Sequence, residues 1–362
     1  MVVGHAETAL STEVFDTELR HFLNHRRGDA DAIGESVADA VAELAGYVLR
    51  GGKRVRPAFA WLGWLGAGGD ADGPAAVPVA RACAALELLH ASALIHDDII
   101  DASPTRRGHP AAHIAFADRH RARGWSGDPA DFGTGTAILV GDLALAWADD
   151  MVRGSGLPAG AQARLGPVWS AMRTEVLCGQ LLDLTAEASG DEGMASALRI
   201  DRYKTASYTV ERPLHFGGAI AGADDRLVSA YRAFGVDIGI AFQLRDDLLG
   251  VFGDPEVTGK PSGDDLREGK RTVLLAEALR RADRCDPAGA GLLRAKVGTD
   301  FDEDELDAIR ALLIEVGAVD LVEEDIARRT ERALAALRSS DAVEQVRDRL
   351  ADLAVRATER TW

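Results

Sequence analysis

Apolar side chains recur along this chain at intervals of three and four residues, the spacing of one face of an α-helix. Phe15, Leu19, Phe22 and Leu23 fall on one such face, and Val37, Val41, Leu44, Val48 and Leu49 on a second. The glycine pair Gly51-Gly52 then ends that second helix. Alanine-rich periodic segments follow at 79–101, 134–153, 161–186, 227–252, 271–283 and 303–338. Polar or glycine-containing breaks fall at 66–76, 102–111, 119–135, 154–160, 187–195, 253–270 and 284–302. Sustained alternation of period two is scarce, so the pattern predicts an all-α fold. No long Pro/Gly/Ser-rich linker and no repeat of fixed period interrupts it, which predicts a single domain over residues 1–362.

Composition narrows the options. Aromatic residues make up 6% of the chain, so the core must be built mainly from Leu, Ala and Val. There are 58 acidic and 41 basic side chains, a formal net charge of −17. Long-range repulsion at that charge argues against a general affinity for nucleic acid or anionic membrane. A small anionic substrate would need metal ions or local basic clusters to receive it. Cys83, Cys178 and Cys285 are far apart and form no CxxC pair, so neither a zinc site nor a disulfide framework is expected, and a cytoplasmic location is. The N-terminal MVVGHAETALSTEVFD lacks the basic start and apolar core of a signal peptide. No run of roughly 18 apolar residues is present, so no membrane insertion is expected.

The chemistry is concentrated where charge interrupts the apolar runs. Leu94-Ile95-His96-Asp97-Asp98-Ile99-Ile100-Asp101 places Asp97 and Asp101 one helical turn apart on one face, with Asp98 beside them. Carboxylates stacked in this way suit a hard divalent cation. A solvated acidic face is the ordinary explanation for an acidic doublet. It fits poorly here, because charge embedded among apolar residues is unfavourable by several kcal/mol unless paired or metal-bound. A second doublet, in Phe242-Gln243-Leu244-Arg245-Asp246-Asp247-Leu248-Leu249, lies 149 residues further on and also breaks an apolar run. On separate helices, the two doublets are expected to face one cavity and hold Mg²⁺ ions that grip a diphosphate. A third doublet, Asp149-Asp150, has Leu145, Ala146, Arg153 and Gly154 one turn away where a further carboxylate would be needed, and reads as a helix-end feature.

Basic groups lie near both motifs. Gly51-Gly52-Lys53-Arg54-Val55-Arg56-Pro57 is a compact cationic turn, and Arg106-Arg107-Gly108 follows the first acidic motif by a short loop. Guanidinium groups bind phosphate bidentately and Lys adds a point charge, although either cluster alone would serve equally to solubilise a loop. The charged break GDPEVTGKPSGDDLREGKR, directly after the second motif, is a candidate lid. Gly253 to Gly259-Lys260 is one residue too long for a phosphate-binding P-loop, and Pro261 stands where such a loop needs Ser or Thr.

Taken in order, GGKRVRP, ELLHASALIHDDIID, RRG, GQLLDL, KTASYT and FQLRDDLLGVFGDPEVTGKPSGDDLREGKRT resemble the motif series of the trans-prenyl diphosphate synthases, over residues 51 to 272. The resemblance implies an all-α fold of antiparallel helices around a deep central active-site cavity, usually as a homodimer. It also implies an activity, the head-to-tail condensation of isopentenyl diphosphate with an allylic diphosphate (dimethylallyl, geranyl or farnesyl). Asp97, Asp98 and Asp101 match the first aspartate-rich motif and Asp246 and Asp247 the second, which implies that they bind about three Mg²⁺, with Mn²⁺ able to substitute. Lys204, Thr205, Gln243 and Lys260 match positions on the allylic side, with Lys270 as a companion and Arg106 on the same substrate. Lys53, Arg56, His90 and Arg107 match the isopentenyl diphosphate site. His90 lies seven residues before Asp97, two turns away on the same face, although a satisfied core histidine has that spacing too. Carbonyl and hydroxyl dipoles around Lys204-Thr205 would stabilise an allylic cation. The released diphosphate would take the proton, so no side-chain base is assigned. Gly250 departs from the pattern, standing where the family often has a third Asp. Metal binding there would rest on Asp246 and Asp247, since Asp254, two turns past Asp246, is flanked by Gly253 and Pro255.

The growing tail is expected to run beside the helix that ends in the first motif. One turn below Asp97 are Ser92 and Ala93, both small, and two turns below are Leu89 and Leu88. A helical turn of about 5.4 Å is close to one isoprene unit, so this column admits a tail of about 20 carbons, that of geranylgeranyl diphosphate. No Phe, Tyr or Trp occurs between Trp64 and Phe116 to plug it earlier, although Trp169 or Met172 on a facing helix could set the limit instead. Two rival readings are a class I terpene cyclase, which would need no isopentenyl site such as GGKRVRP, and a non-catalytic subunit of a heteromeric synthase, which would lack an acidic motif.

Overall fold

A computed structural model describes residues 12–253 and 262–359. Helices dominate it. The first seven are α1 (Glu13–Ile33), α2 (Glu35–Leu49), α3 (Val55–Gly66), α4 (Ala76–Ile100), α5 (Ala112–Arg123), α6 (Pro129–Arg153) and α7 (Ala159–Ser189). Then come α8 (Met194–Ile200), a π-helical stretch (Asp201–Glu211), α9 (Arg212–Ala221), α10 (Asp225–Phe252) and α11 (Asp264–Arg267). The last are α12 (Val273–Cys285), α13 (Pro287–Lys296), α14 (Glu303–Glu315), α15 (Ala318–Arg338) and α16 (Glu344–Thr358). Two short strands, β1 (Thr105–Arg106) and β2 (His109–Pro110), pair antiparallel as a hairpin. This is the all-α class that the periodicity predicts.

The differences from the pattern have local causes. The segment 303–338 is two helices, because Gly317 takes a left-handed φ of 73° between α14 and α15, a conformation that ends a helix. The expected break 284–302 contains α13, whose start is fixed by Pro287 in the first turn and by Asp286, which accepts from Gly289 N–H. Helix α6 starts before residue 134, because the Asp128 side chain caps it by accepting from Ala130 N–H at 2.7 Å. By length and composition α4 and α10 are apolar enough to cross a membrane, which the lack of an unbroken apolar run did not anticipate. Of those windows 72% and 50% are buried inside the protein. In α4 the buried residues lie on every side, as in a helix surrounded by others.

The described chain forms two compact units, one ending at Arg164 and the other starting at Leu165, with Gly66–Gly68 belonging to the second. In the first unit α4 packs along α6 and against α1, and α5 packs along α6. Its core includes the fully buried Phe15, Leu19, Leu86, Leu88 and Phe116. Each such side chain stabilises the fold by about 1.5–3 kcal/mol relative to exposure. In the second unit α10 packs against the π-helical stretch, α9 and α15. The core there includes Leu244, Leu248, Leu274, Leu293, Ile309 and Leu313. Two glycines bring backbones close to the π-helical stretch. A Cβ on Gly179 of α7 would lie 2.3 Å from Lys204 N, and one on Gly239 of α10 would lie 2.4 Å from Ala206 Cα.

Candidate active site

Helix α4 carries the first acidic motif at its C-terminal end, with Asp97 and Asp98 in the last turn and Asp101 as the C-cap. No basic side chain occupies that turn, so three carboxylates stand at the negative end of the helix dipole, where cations are favoured. The chain leaves through a Schellman turn, in which Ser103 N–H donates to Asp98 O at 2.9 Å and Ala102 N–H to Ile99 O at 3.3 Å. Ala102 holds the left-handed φ of 51° that this turn usually gives to Gly. Among the described residues, the non-glycine residues with positive φ are Arg54, Ala102 and Arg107. Ala102 adjoins the acidic motif and the other two lie in the basic turns. Backbone strain of this kind, about 1–3 kcal/mol per residue, persists only where the surroundings fix it, and it clusters at functional sites.

The two adjacent aspartates are not equivalent. Asp98 is fully buried and accepts from Arg106 Nε at 2.7 Å, and the same guanidinium reaches Asp97 Oδ2 at 3.4 Å. Burial pushes the Asp98 carboxyl above its usual range, against the pull of Arg106. Oδ2 of Asp98 is buried with no hydrogen-bond partner among the described residues. Asp97 and Asp101 are partly exposed.

The hairpin aims the two arginines. Arg107 (φ 54°) and Gly108 (φ 74°) are both left-handed, as a type I′ turn requires. Arg107 Nη1 donates to Gly51 O at 3.2 Å, and its Nη2 lies 3.3 Å from His90 Nε2. Burial, and then the guanidiniums of Arg56, Arg107, Arg106 and Arg54, hold His90 well below the ordinary imidazole value. A neutral His90 ring can accept that Arg107 N–H. The structure therefore gathers His90, Arg56 and Arg107, while Lys53 is exposed. Arg54 belongs to the scaffold. It is buried, donating to Asp16 at 2.8 Å and to the buried Glu87 at 2.7 Å.

Along α4 the partly exposed His90, Ala93, Leu94 and Asp97 form one stripe at helical spacing. Ser92 and Leu89 are buried away from it. The sequence treats Ser92 and Ala93 as one level, and the rotation of about 100° between successive residues separates them.

In the second unit α10 presents Asp246 to solvent and buries Asp247. A chain of hydrogen bonds fixes Asp247. Thr205 Oγ1 donates to Gln243 Oε1 at 2.8 Å, and Gln243 Nε2 donates to Asp247 Oδ1 at 2.7 Å. Oδ2 of Asp247 is buried with no hydrogen-bond partner among the described residues. Burial, and then the neighbouring Asp201, raise the Asp247 carboxyl well above the carboxylate range. Lys204 pairs with Asp183. Arg245 is structural, gripping Glu323 with both Nη atoms at 2.5 and 2.6 Å and donating through Nε to Thr358 O. Lys270 contacts Asp265 at 3.0 Å and Glu268 at 2.5 Å. Burial disfavours its ammonium, but these two carboxylates outweigh burial and raise its pKa. Lys260 and Asp254 lie outside the described residues. The third doublet is engaged in surface pairs, Asp149 with Arg153 and Asp150 with Arg26, both at 2.6 Å.

Each motif thus has an accessible first aspartate and a buried second one, with one oxygen of the buried carboxylate held by a neighbour. Both lie towards the C-terminus of a helix without a basic last turn. Among the described residues, no three His, Cys, Asp or Glu side chains converge to hold a metal ion by themselves. Such a set fits Mg²⁺, which keeps waters and takes one or two carboxylates together with substrate phosphates. It does not fit a structural Zn²⁺, which needs four protein ligands.

Several neighbours escaped the reading of the sequence. Tyr47, whose phenol is raised by burial and by Asp98, and His113, lowered by burial against Asp98, stand beside the first motif. Asp201, raised to about 8 by burial, adjoins the second. No spacing rule marks these three, whereas Asp183 was visible inside GQLLDL.

A profile of the family described as Polyprenyl synthetase matches residues 38–313. The chain is 34% identical over 289 residues to a geranylfarnesyl diphosphate synthase of Aeropyrum pernix, covering 79% of this chain and 83% of that protein. It is 32% identical over 320 residues to a geranylgeranyl diphosphate synthase of Mycobacterium tuberculosis, covering 84% and 83% of the two chains. Its fold matches the crystal structure of a geranylgeranyl pyrophosphate synthase from Corynebacterium glutamicum, complexed with isoprenyl diphosphate and magnesium. The TM-score is 0.92 and the identity 49%, over 96% of this chain and 98% of that one.

Proposed function

The chain belongs to the polyprenyl synthetase family and is a trans-prenyl diphosphate synthase, and we propose that it extends an allylic diphosphate with isopentenyl diphosphate to geranylgeranyl diphosphate, using Mg²⁺. The observation that carries this reading is the division within each acidic doublet. An open carboxylate (Asp97, Asp246) adjoins a buried one (Asp98, Asp247) that is tied to a substrate-side group, Arg106 or the Gln243–Thr205 pair. Asp97, Asp98, Asp101, Asp246 and Asp247 would hold about three Mg²⁺, with Mn²⁺ able to replace them. Bound Mg²⁺ supplies charge neutralisation to a departing diphosphate.

The chain's own groups do the rest. Asp98 fixes the Arg106 guanidinium for the allylic diphosphate, with Lys204, Lys260 and Lys270 adding charge. Arg107, Arg56, Lys53 and the neutral His90 bind isopentenyl diphosphate. The allylic C–O bond breaks and its electron pair leaves with the diphosphate. The isopentenyl double bond then attacks the cation to form the new C–C bond, and a proton passes to the released diphosphate. Leu177, Leu181 and Leu184 are exposed on one face of α7, which supports a homodimer. Sedimentation velocity showing only monomer would remove that part of the reading.

The matched relatives are named for both geranylfarnesyl and geranylgeranyl products, so likeness alone leaves product length open and the residues along the tail's path decide it. Ala93 is the small residue that shares the accessible stripe of Asp97. Product chromatography is the test. The wild type is expected to make a product of about 20 carbons and Ala93→Phe one of about 15, because a ring one turn below Asp97 removes roughly one isoprene unit. Leu89 and Ser92, expected from the sequence to gate the tail as well, are buried away from that stripe, so Leu89→Ala is expected to leave product length unchanged. An active Ala93→Phe enzyme with unchanged product would place the limit on another helix.

A further inference from the structure

We propose that Asp265, from α11, supplies the carboxylate that α10 lacks at Gly250, so that the second acidic motif is completed by two segments of the chain. This rests on the synthase reading above. On α4 the open Asp97 has Asp101 one turn further on, on the same face. On α10 the corresponding position after Asp246 is Gly250, which has no side chain. Its place is filled from elsewhere. A Cβ built on Gly250 would lie 1.9 Å from Asp265 Oδ2 and 2.7 Å from its Cγ. The Asp265 carboxylate therefore occupies the volume where a side chain at position 250 would begin, one turn beyond Asp246.

The surrounding backbone fixes it there. Gly263 N–H donates to Gly250 O at 3.0 Å, and Lys270 N–H donates to Asp265 O at 3.1 Å. Lys270 Nζ holds Asp265 Oδ1 at 3.0 Å. Asp265 is also near enough to Asp247 to add to the rise in its pKa, after burial and Asp201. A side chain at 250 would have to displace the carboxylate of 265 from its place beside Lys270. Asp265 adds an oxygen ligand for Mg²⁺ beside Asp246, or orients the water of an ion held there.

Calorimetric titration of the whole protein with Mg²⁺ and inorganic diphosphate, alongside thermal unfolding, is the test. The wild type is expected to bind diphosphate only with Mg²⁺. If it does not, the synthase reading fails and this inference fails with it. In a wild type that binds, Asp265→Asn is expected to raise the Mg²⁺ concentration for half-saturation roughly ten-fold or more. Gly250→Asp alone is expected to lower Tm through that displacement. The double variant Gly250→Asp/Asp265→Gly returns a carboxylate to the same place from the helix, and is expected to recover most of the Mg²⁺ affinity without the Lys270 pair. If Asp265→Asn does not fold, the double variant decides alone. Unchanged Mg²⁺ affinity in Asp265→Asn with only a lower Tm, or a folded double variant that stays weak, would leave Asp265 as a counter-ion of Lys270 and overturn the proposal.

Discussion

Asp97→Ala and Asp101→Ala are each expected to lower kcat about a thousand-fold or more, because each removes an open carboxylate that positions charge against a departing diphosphate. Asp149→Ala is expected to stay within about two-fold of the wild type, since the Asp149–Arg153 pair is an exposed one-turn ion pair of the kind that contributes little. Steady-state kinetics on variants with matching circular dichroism check this. Asp98→Asn belongs between these extremes. It keeps the shape of the side chain but loosens Arg106, so the KM for the allylic diphosphate should rise more than kcat falls. Equal, severe losses in Asp97→Ala, Asp101→Ala and Asp149→Ala would mean that one-turn stacking had selected the wrong carboxylates.

Arg54→Ala is expected to destabilise the fold by about 3–5 kcal/mol, because it leaves the buried Glu87 without its cation. Its immediate neighbour behaves differently. Lys53 is exposed, and Lys53→Ala should change stability by less than about 0.5 kcal/mol while weakening isopentenyl diphosphate binding. Denaturant unfolding together with the KM for isopentenyl diphosphate separates the two effects. A stable Arg54→Ala protein with a raised KM would move Arg54 from scaffold to substrate site.

That contrast shows where the sequence stops being legible. GGKRVRP announces three cations, and only tertiary packing decides which of them turns inward. Glu87 lies 33 residues beyond Arg54, on a helix whose orientation the periodicity does not give. The acidic doublets were visible because charge interrupts apolar runs, but not which member of each faces the interior. For Asp247 a local sign existed, since Gln243 precedes it by one turn at a spacing where Gln and Asp bond. For Asp98 the partner arrives through a hairpin whose left-handed Arg107 no propensity would predict. The break at Gly317 was readable as a glycine inside a periodic segment. The meeting of Gly250 with Asp265 was not, because a missing side chain carries no information about what takes its place.

One assay reads most directly whether this chain joins isopentenyl and allylic units into a linear diphosphate under metal control. Purified protein is incubated with farnesyl diphosphate, labelled isopentenyl diphosphate and Mg²⁺, and organic products and released diphosphate are quantified together. A linear labelled prenyl diphosphate is expected, with one diphosphate released per isopentenyl unit incorporated, no reaction in excess EDTA and recovery on adding Mg²⁺. A cyclic hydrocarbon formed from farnesyl diphosphate alone, no product with both substrates present, or full turnover in EDTA would contradict the synthase reading.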